Sequence, residues 1–155
     1  MQIKEQGLII DLRIKKKMKM KNLILIFLAL TSIKCTEAQS LQSDKYGTIG
    51  YIQSDGTIQN SSYTTTGYFK QDGTIQNSSY MTIGSIKYDG TIQNSNNTIM
   101  GYVKSDGTVK NSNNFTIGFI KEDGSVQNRN NITIGYAIDI KKEWAAVYFF
   151  FFKFE

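Results

Sequence analysis

From Tyr46 to Ile140, short runs of β-branched and aromatic residues alternate with polar clusters, and the pattern restarts every 17 residues. The first full unit reads Gly50-Tyr51-Ile52, Gln53-Ser54-Asp55-Gly56, Thr57-Ile58-Gln59-Asn60, and then Ser61 to Thr66. Four more follow, headed by Gly67, Gly84, Gly101 and Gly118, and a sixth glycine, Gly135, opens the tail. Two apolar runs flanking Asp-Gly predict a β-hairpin, because Asp and Gly tolerate the positive φ of a two-residue type I′ turn. The predicted turns are Asp55-Gly56, Asp72-Gly73, Asp89-Gly90, Asp106-Gly107 and Asp123-Gly124. The chain has no proline to interrupt the ladders.

A two-residue turn, the favoured choice, sets Tyr51 and Ile58 on one face; an odd-length turn sets Ile52 with Ile58 instead. One hairpin of this size is marginal in water, so five copies must share an interior. They could stack linearly or close into a ring. Leu41 to Thr48 shows no polar cap of the kind a linear stack carries, so the ring is preferred. The glycine heading each unit lies inside a strand, where it marks close approach of neighbouring backbones near a common axis. The expected fold is all-β, with five 17-residue hairpin repeats about a pseudo-fivefold axis.

Glycine, aromatic, aliphatic, polar, x, Asp-Gly-Thr, aliphatic, polar, Asn, repeated five times behind an export signal, resembles the 5-fold beta-flower proteins of the Bacteroidota. The tail Gly135-Tyr136-Ala137-Ile138-Asp139-Ile140-Lys141-Lys142-Glu143-Trp144-Ala145-Ala146-Val147-Tyr148 with its phenylalanines resembles the end of those proteins as well. The resemblance covers about residues 46–154. It implies pseudo-fivefold hairpins around an axis and transfers no activity and no catalytic residue. Ser85, where other units carry an aromatic, departs from the pattern.

The formal charge of +5 does not belong to the repeats. Residues 1–38 carry eight of the 18 basic and three of the 13 acidic residues, so residues 39–155 are neutral overall. That excludes the basic footprint of a nucleic-acid binder. The basic run Lys15–Lys21, the apolar run Leu23–Leu30 and the small residues up to Ala38 read as a signal peptide, with the mature chain starting near Gln39. Met18 or Met20 is an alternative start to Met1. The resulting organisation is an extension and signal over 1–38, a lead-in over 39–47, the repeat domain over 48–140 and an aromatic tail over 141–155. An exported protein follows, in the periplasm, at the outer membrane or outside the cell. Cys35, the only cysteine, is expected to leave with the signal, lipidation being the alternative; Lys34 stands where a lipoprotein signal wants a small residue.

Trp144 to Phe152 is an unbroken apolar run. Trp144, Tyr148, Phe149, Phe150, Phe151 and Phe152 therefore form a candidate interaction surface. Three fates are open to it: packing over the apolar mouth of the ring, joining a second copy into a homo-oligomer, or shallow membrane contact. Nine residues are too few to span a bilayer.

The chain has no His. Beyond Cys35 it also lacks the thiol nucleophile, so the usual general base and transition-metal ligands are missing. No catalytic, metal or cofactor residue is assigned. The turn aspartates suit their turns better than a calcium ring. Asn60 and its equivalents are expected to bond link backbone rather than sugars. The N-glycosylation patterns starting at Asn60, Asn77, Asn114 and Asn131 are read as chance. The tyrosines are expected to be core, with sugar stacking as the alternative. The function expected is a non-catalytic binding or structural module of the envelope; the alternatives are a self-assembling protein driven by the tail and a carbohydrate-binding or carbohydrate-active protein. Pairing of Glu122, Glu143 or Asp139 across a cleft would favour an enzyme.

Overall fold

The computed structural model describes residues 38–154. The choice among Met1, Met18 and Met20, the signal peptide ahead of Ala38 and the fate of Cys35 fall outside the described residues.

Twelve antiparallel strands close into a barrel in simple up-and-down order. They are β1 (Gln39–Ser43), β2 (Thr48–Ile52), β3 (Thr57–Asn60), β4 (Thr65–Phe69), β5 (Thr74–Asn77), β6 (Thr82–Ile86), β7 (Thr91–Asn94), β8 (Ile99–Val103), β9 (Thr108–Asn111), β10 (Thr116–Ile120), β11 (Ser125–Asn128) and β12 (Thr133–Ala137). The five repeat units supply β2 to β11. The first and last strands, β1 and β12, pair with each other and leave no open edge. A helix α1 (Lys142–Ala146) follows, continued by a π-helical turn over Val147–Phe151.

Register corrects the turn expected from Asp-Gly. Ile52 pairs with Ile58 and Tyr51 with Gln59. The Gln53 N–H bonds Thr57 O (2.9 Å) and the Gly56 N–H bonds Gln53 O (2.8 Å), so the loop is three residues long. Only Gly56, φ +87°, is left-handed. This is a β-turn followed by a glycine bulge, not a two-residue type I′ turn. Asp55 serves it differently: its Oδ1 accepts the Thr57 N–H at 2.8 Å. Glycine is required because the next hairpin crosses there; a Cβ on Gly56 would lie 1.9 Å from Phe69 O.

The polar links turn out to be hairpin turns of the same length. Asn60 N–H bonds Thr64 O (2.9 Å) and Tyr63 N–H bonds Asn60 O (3.0 Å). Asn60 Oδ1 accepts the N–H groups of Ser62 and Thr64, each at 3.0 Å. Asn77, Asn94, Asn111 and Asn128 repeat both bonds.

With that register, every strand sends one aliphatic or aromatic side chain inward. The cross-strand pairs are Leu41–Ala137, Ile52–Ile58, Phe69–Ile75, Ile86–Ile92, Val103–Val109 and Ile120–Val126. All but Ile86 are buried. The residue between, on the other side of the pleat, points outward. Tyr51, Tyr68, Tyr102, Phe119 and Tyr136 are thus on the barrel exterior, which overturns the expectation that the tyrosines form the core. Each even-numbered strand also carries a register shift just before or at its glycine, as between Ile58–Gly67 and Gln59–Thr65. These bulges bend the wall where the barrel must curve.

Candidate binding surface and the aromatic interior

The six strand glycines form a second inward layer, toward the Asn-turn end. A twelve-stranded wall encloses more space than aliphatic side chains alone fill, and the tail occupies it. Helix α1 lies against β8 and β10, with Ala145, Ala146 and Val147 buried. Trp144 stacks on Phe69 with ring centres 5.2 Å apart, and Lys141 Nζ sits 4.5 Å from the Trp144 ring centre.

Beyond Val147, each ring meets one glycine. A Cβ built on Gly50 would lie 3.1 Å from Tyr148 Oη; on Gly135, 2.5 Å from Phe149; on Gly118, 2.3 Å from Phe150. On Gly101 it would lie 2.6 Å from Phe151, on Gly84 2.5 Å from Phe152, and on Gly67 2.7 Å from Phe154. Successive tail residues step from one glycine strand to the next around the wall, and exposed Lys153 is the single skip. The Phe152 N–H bonds Val147 O (3.0 Å), a five-residue step. A π turn holds more residues than an α turn, so consecutive side chains diverge by a smaller angle, nearer to the spacing of the glycines. Half-burial of Tyr148 pushes its phenol pKa up. The residues read as an interaction surface are thus seated inside the barrel, with the glycines as their sockets.

The exterior carries a second aromatic arrangement. Three turn tyrosines fold back on strand tyrosines: Tyr46 on Tyr136, Tyr63 on Tyr51 and Tyr80 on Tyr68, with ring centres 4.7, 4.6 and 4.8 Å apart and planes within 16°. Tyr51 Oη donates to Tyr63 Oη, and Tyr136 Oη to Tyr46 Oη, both at 3.0 Å. Those bonds raise the pKa of Tyr51 and Tyr136, and Tyr80 does the same to Tyr68. The turn tyrosines are 68, 64 and 64 % exposed, so the outer face of each stack is open. Gln59, Gln76 and Gln42 lie beside the three strand tyrosines on the neighbouring strands. The pairs occupy β12 through β5, one half of the wall. On the other half the turn positions are Asn97, Asn114 and Asn131.

These turn tyrosines have φ between 60° and 62°. Asn suits that left-handed region; for a bulky residue it is an outlier costing roughly 1–2 kcal/mol. Stacking returns about 0.5–1.5 kcal/mol. The tyrosines are therefore not the residues that turn stability alone selects. Sequence reasoning missed Tyr46, Tyr63 and Tyr80, although they fall at the 17-residue step and Asn97, Asn114 and Asn131 continue it.

The five turn aspartates ring the opposite end. Each Oδ1 is engaged by the N–H two residues on. That bonding, from backbone first in four cases and from the Ser125 side chain first for Asp123, holds every carboxyl below its ordinary pKa. Among the described residues no three His, Cys, Asp or Glu side chains come close enough to hold a metal ion. A rim cleft of about 410 Å³ lies between two of these turns and the start of α1, lined by Lys70, Asp72, Lys87, Tyr88, Lys141 and Glu143 among others. Its charges are mixed in sign. The 5-fold beta-flower protein family model matches residues 38–153, which takes in all twelve strands and the tail as far as Lys153. The chain belongs to the 5-fold beta-flower family. No curated protein and no solved structure matches it. Within this beta-flower barrel the two built features are therefore the tail in its glycine sockets and the tyrosine pairs outside.

Proposed function

We propose that this beta-flower protein is an exported, non-catalytic binding module, and that it binds glycan chains on the half of its wall that carries the tyrosine pairs. The observation that carries this is the left-handed conformation of Tyr46, Tyr63 and Tyr80. A conformational cost borne at three equivalent exposed positions, all on adjoining hairpins, argues for use of the rings rather than for turn stability. Tyrosine offers a large, rigid, amphipathic face at low entropy cost, and the flanking Gln side chains supply donors and acceptors for hydroxyls. Three like sites in a row suit a repeating polymer, where avidity replaces affinity at one site. Export rests on the signal peptide read in the sequence. We further propose that the five units are copies set about the barrel axis, with β12 and β1 as a composite sixth position, so that the wall approaches sixfold rather than fivefold symmetry; six glycine sockets support this.

The test is a glycan array with residues 39–155, wild type against Tyr63→Asn, which copies the turn of the other half. Binding by the wild type, weakened roughly threefold to tenfold in the variant as one stack of about 0.5–1.5 kcal/mol is lost, is expected. No signal on any bacterial or host glycan sinks the proposal.

A further inference from the structure

The tyrosine pairs are also arranged for a covalent reaction, independent of whether they bind glycans. Two phenols stacked at 4.6–4.8 Å within 16° of parallel, with hydroxyls 3.0 Å apart in two pairs, bring the hydroxyl-bearing ends of the two rings together. The geometry points to Tyr46–Tyr136, Tyr51–Tyr63 and Tyr68–Tyr80 as sites of oxidative dityrosine cross-linking, driven by a peroxidase-type one-electron oxidant with hydrogen peroxide. Each phenol gives up one electron and its hydroxyl proton and becomes a phenoxyl radical. The two radicals join ortho carbon to ortho carbon, and the hydrogens at those carbons return to the phenolic oxygens to restore both rings. Each pair loses two hydrogen atoms in all, and the peroxide accepts the two electrons and two protons to become water. The biaryl bond requires the rings to rotate out of parallel. The turn tyrosine of each pair, about two-thirds exposed, has the room to do so.

Six of the nine tyrosines belong to these pairs. The others are internal controls: Tyr88 is fully exposed, the residue twelve positions beyond Tyr102, where the pairs on β2 and β4 carry a turn tyrosine, is Asn114, and Tyr148 is seated against Gly50. Residues 39–155 contain no cysteine, so a dityrosine would be the covalent tie between turn and wall that disulfides provide elsewhere. A partner held in contact has an effective concentration of at least about 1 mM, so at about 1 µM protein the internal product should exceed the intermolecular one on the order of a thousandfold.

The experiment treats residues 39–155 at that dilution with a haem peroxidase and hydrogen peroxide. Intact mass and tryptic peptides are then read alongside dityrosine fluorescence. The expected result is a monomer lighter by two hydrogens for each pair joined. The Tyr68–Tyr80 link then ties peptide 46–70 to peptide 71–87, and Tyr46–Tyr136 ties 46–70 to 130–141. Tyr80→Phe keeps the stack and should remove only the first of these. Cross-links formed chiefly between molecules, or involving Tyr88 and Tyr102 as readily as the pairs, overturn the inference. A chain that cross-links as described but binds no glycan refutes the glycan proposal and leaves this one standing, and the converse result does the reverse.

Discussion

Replacing Gly118 by alanine adds one methyl group to the inner wall, and the structure states what it meets. The new Cβ would lie 2.3 Å and 2.5 Å from two carbons of the Phe150 ring and 2.5 Å from Gln127 O on the paired strand. Real Cβ atoms do not approach so closely, so ring or strand must move. Overpacking of this kind costs about 1–3 kcal/mol. If the ring leaves, half of a phenylalanine's burial goes with it, about 1 kcal/mol more. We expect a loss of about 2–3 kcal/mol. For a domain of this size that lowers Tm by roughly 3–6 °C per kcal/mol. Thermal and urea unfolding of residues 39–155 provide the assay. Gly47→Ala is the control: its nearest atom is Ser43 Oγ at 3.4 Å, and a change within about 0.5 kcal/mol is expected. Phe150→Ala completes a double-mutant cycle. With the ring gone the methyl meets only the strand, so the double variant should be at least about 1 kcal/mol more stable than the sum of the single losses predicts. Additivity within about 0.5 kcal/mol, or a Gly118→Ala variant as stable as wild type, refutes the socket argument.

Deleting residues 144–155 removes Trp144 and six seated rings whose combined burial contributes on the order of 5–10 kcal/mol, comparable with the whole stability of a domain; the truncated chain should lose its cooperative unfolding transition, and a soluble, equally stable product contradicts this. Tyr63→Asn should change stability by less than about 1 kcal/mol in either direction, since relief of the left-handed strain offsets the lost stack; urea midpoints check it. The five turn carboxyls have folded pKa values below their unfolded ones. Their contribution is therefore complete above the unfolded value of about 3.9 and fades as pH falls through the folded values. Urea midpoints should drop below about pH 4, and changing all five aspartates to asparagine should flatten that drop.

Much of this architecture is legible in the chain because hairpins are local. The apolar runs around Asp55-Gly56 and its copies locate β2 to β11, and the absence of caps favours closure. The faces were harder, and the reason is parity. Equivalent residues recur every 17 positions, an odd number, so each unit must break the strict inward-outward alternation once. A two-residue turn at Asp-Gly would do it; the chain does it instead with the bulge before Gly67 and its equivalents. Putting the break in the turn would set Tyr51 with Ile58, whereas the bulge leaves Ile52 with Ile58 inside and Tyr51 with Gln59 outside. The link around Asn60 to Thr64 hid its hairpin because its left-handed residue is Tyr63 rather than glycine. The tail held a countable signal: six inward glycines at one step, and six aromatic residues from Tyr148 to Phe154. Nothing local in the sequence says that the two sets meet, since the contact joins residues up to about a hundred positions apart, such as Gly50 and Tyr148.

The claim on which the rest depends is that each tail ring occupies its own glycine socket. Proton NMR of residues 39–155 with labelled phenylalanine and glycine tests it directly. We expect strong nuclear Overhauser contacts from the Phe150 ring to the Gly118 Hα protons, and likewise Phe149 to Gly135, Phe151 to Gly101, Phe152 to Gly84 and Phe154 to Gly67. Phenylalanine rings that show no contact with any of these glycines would contradict the account.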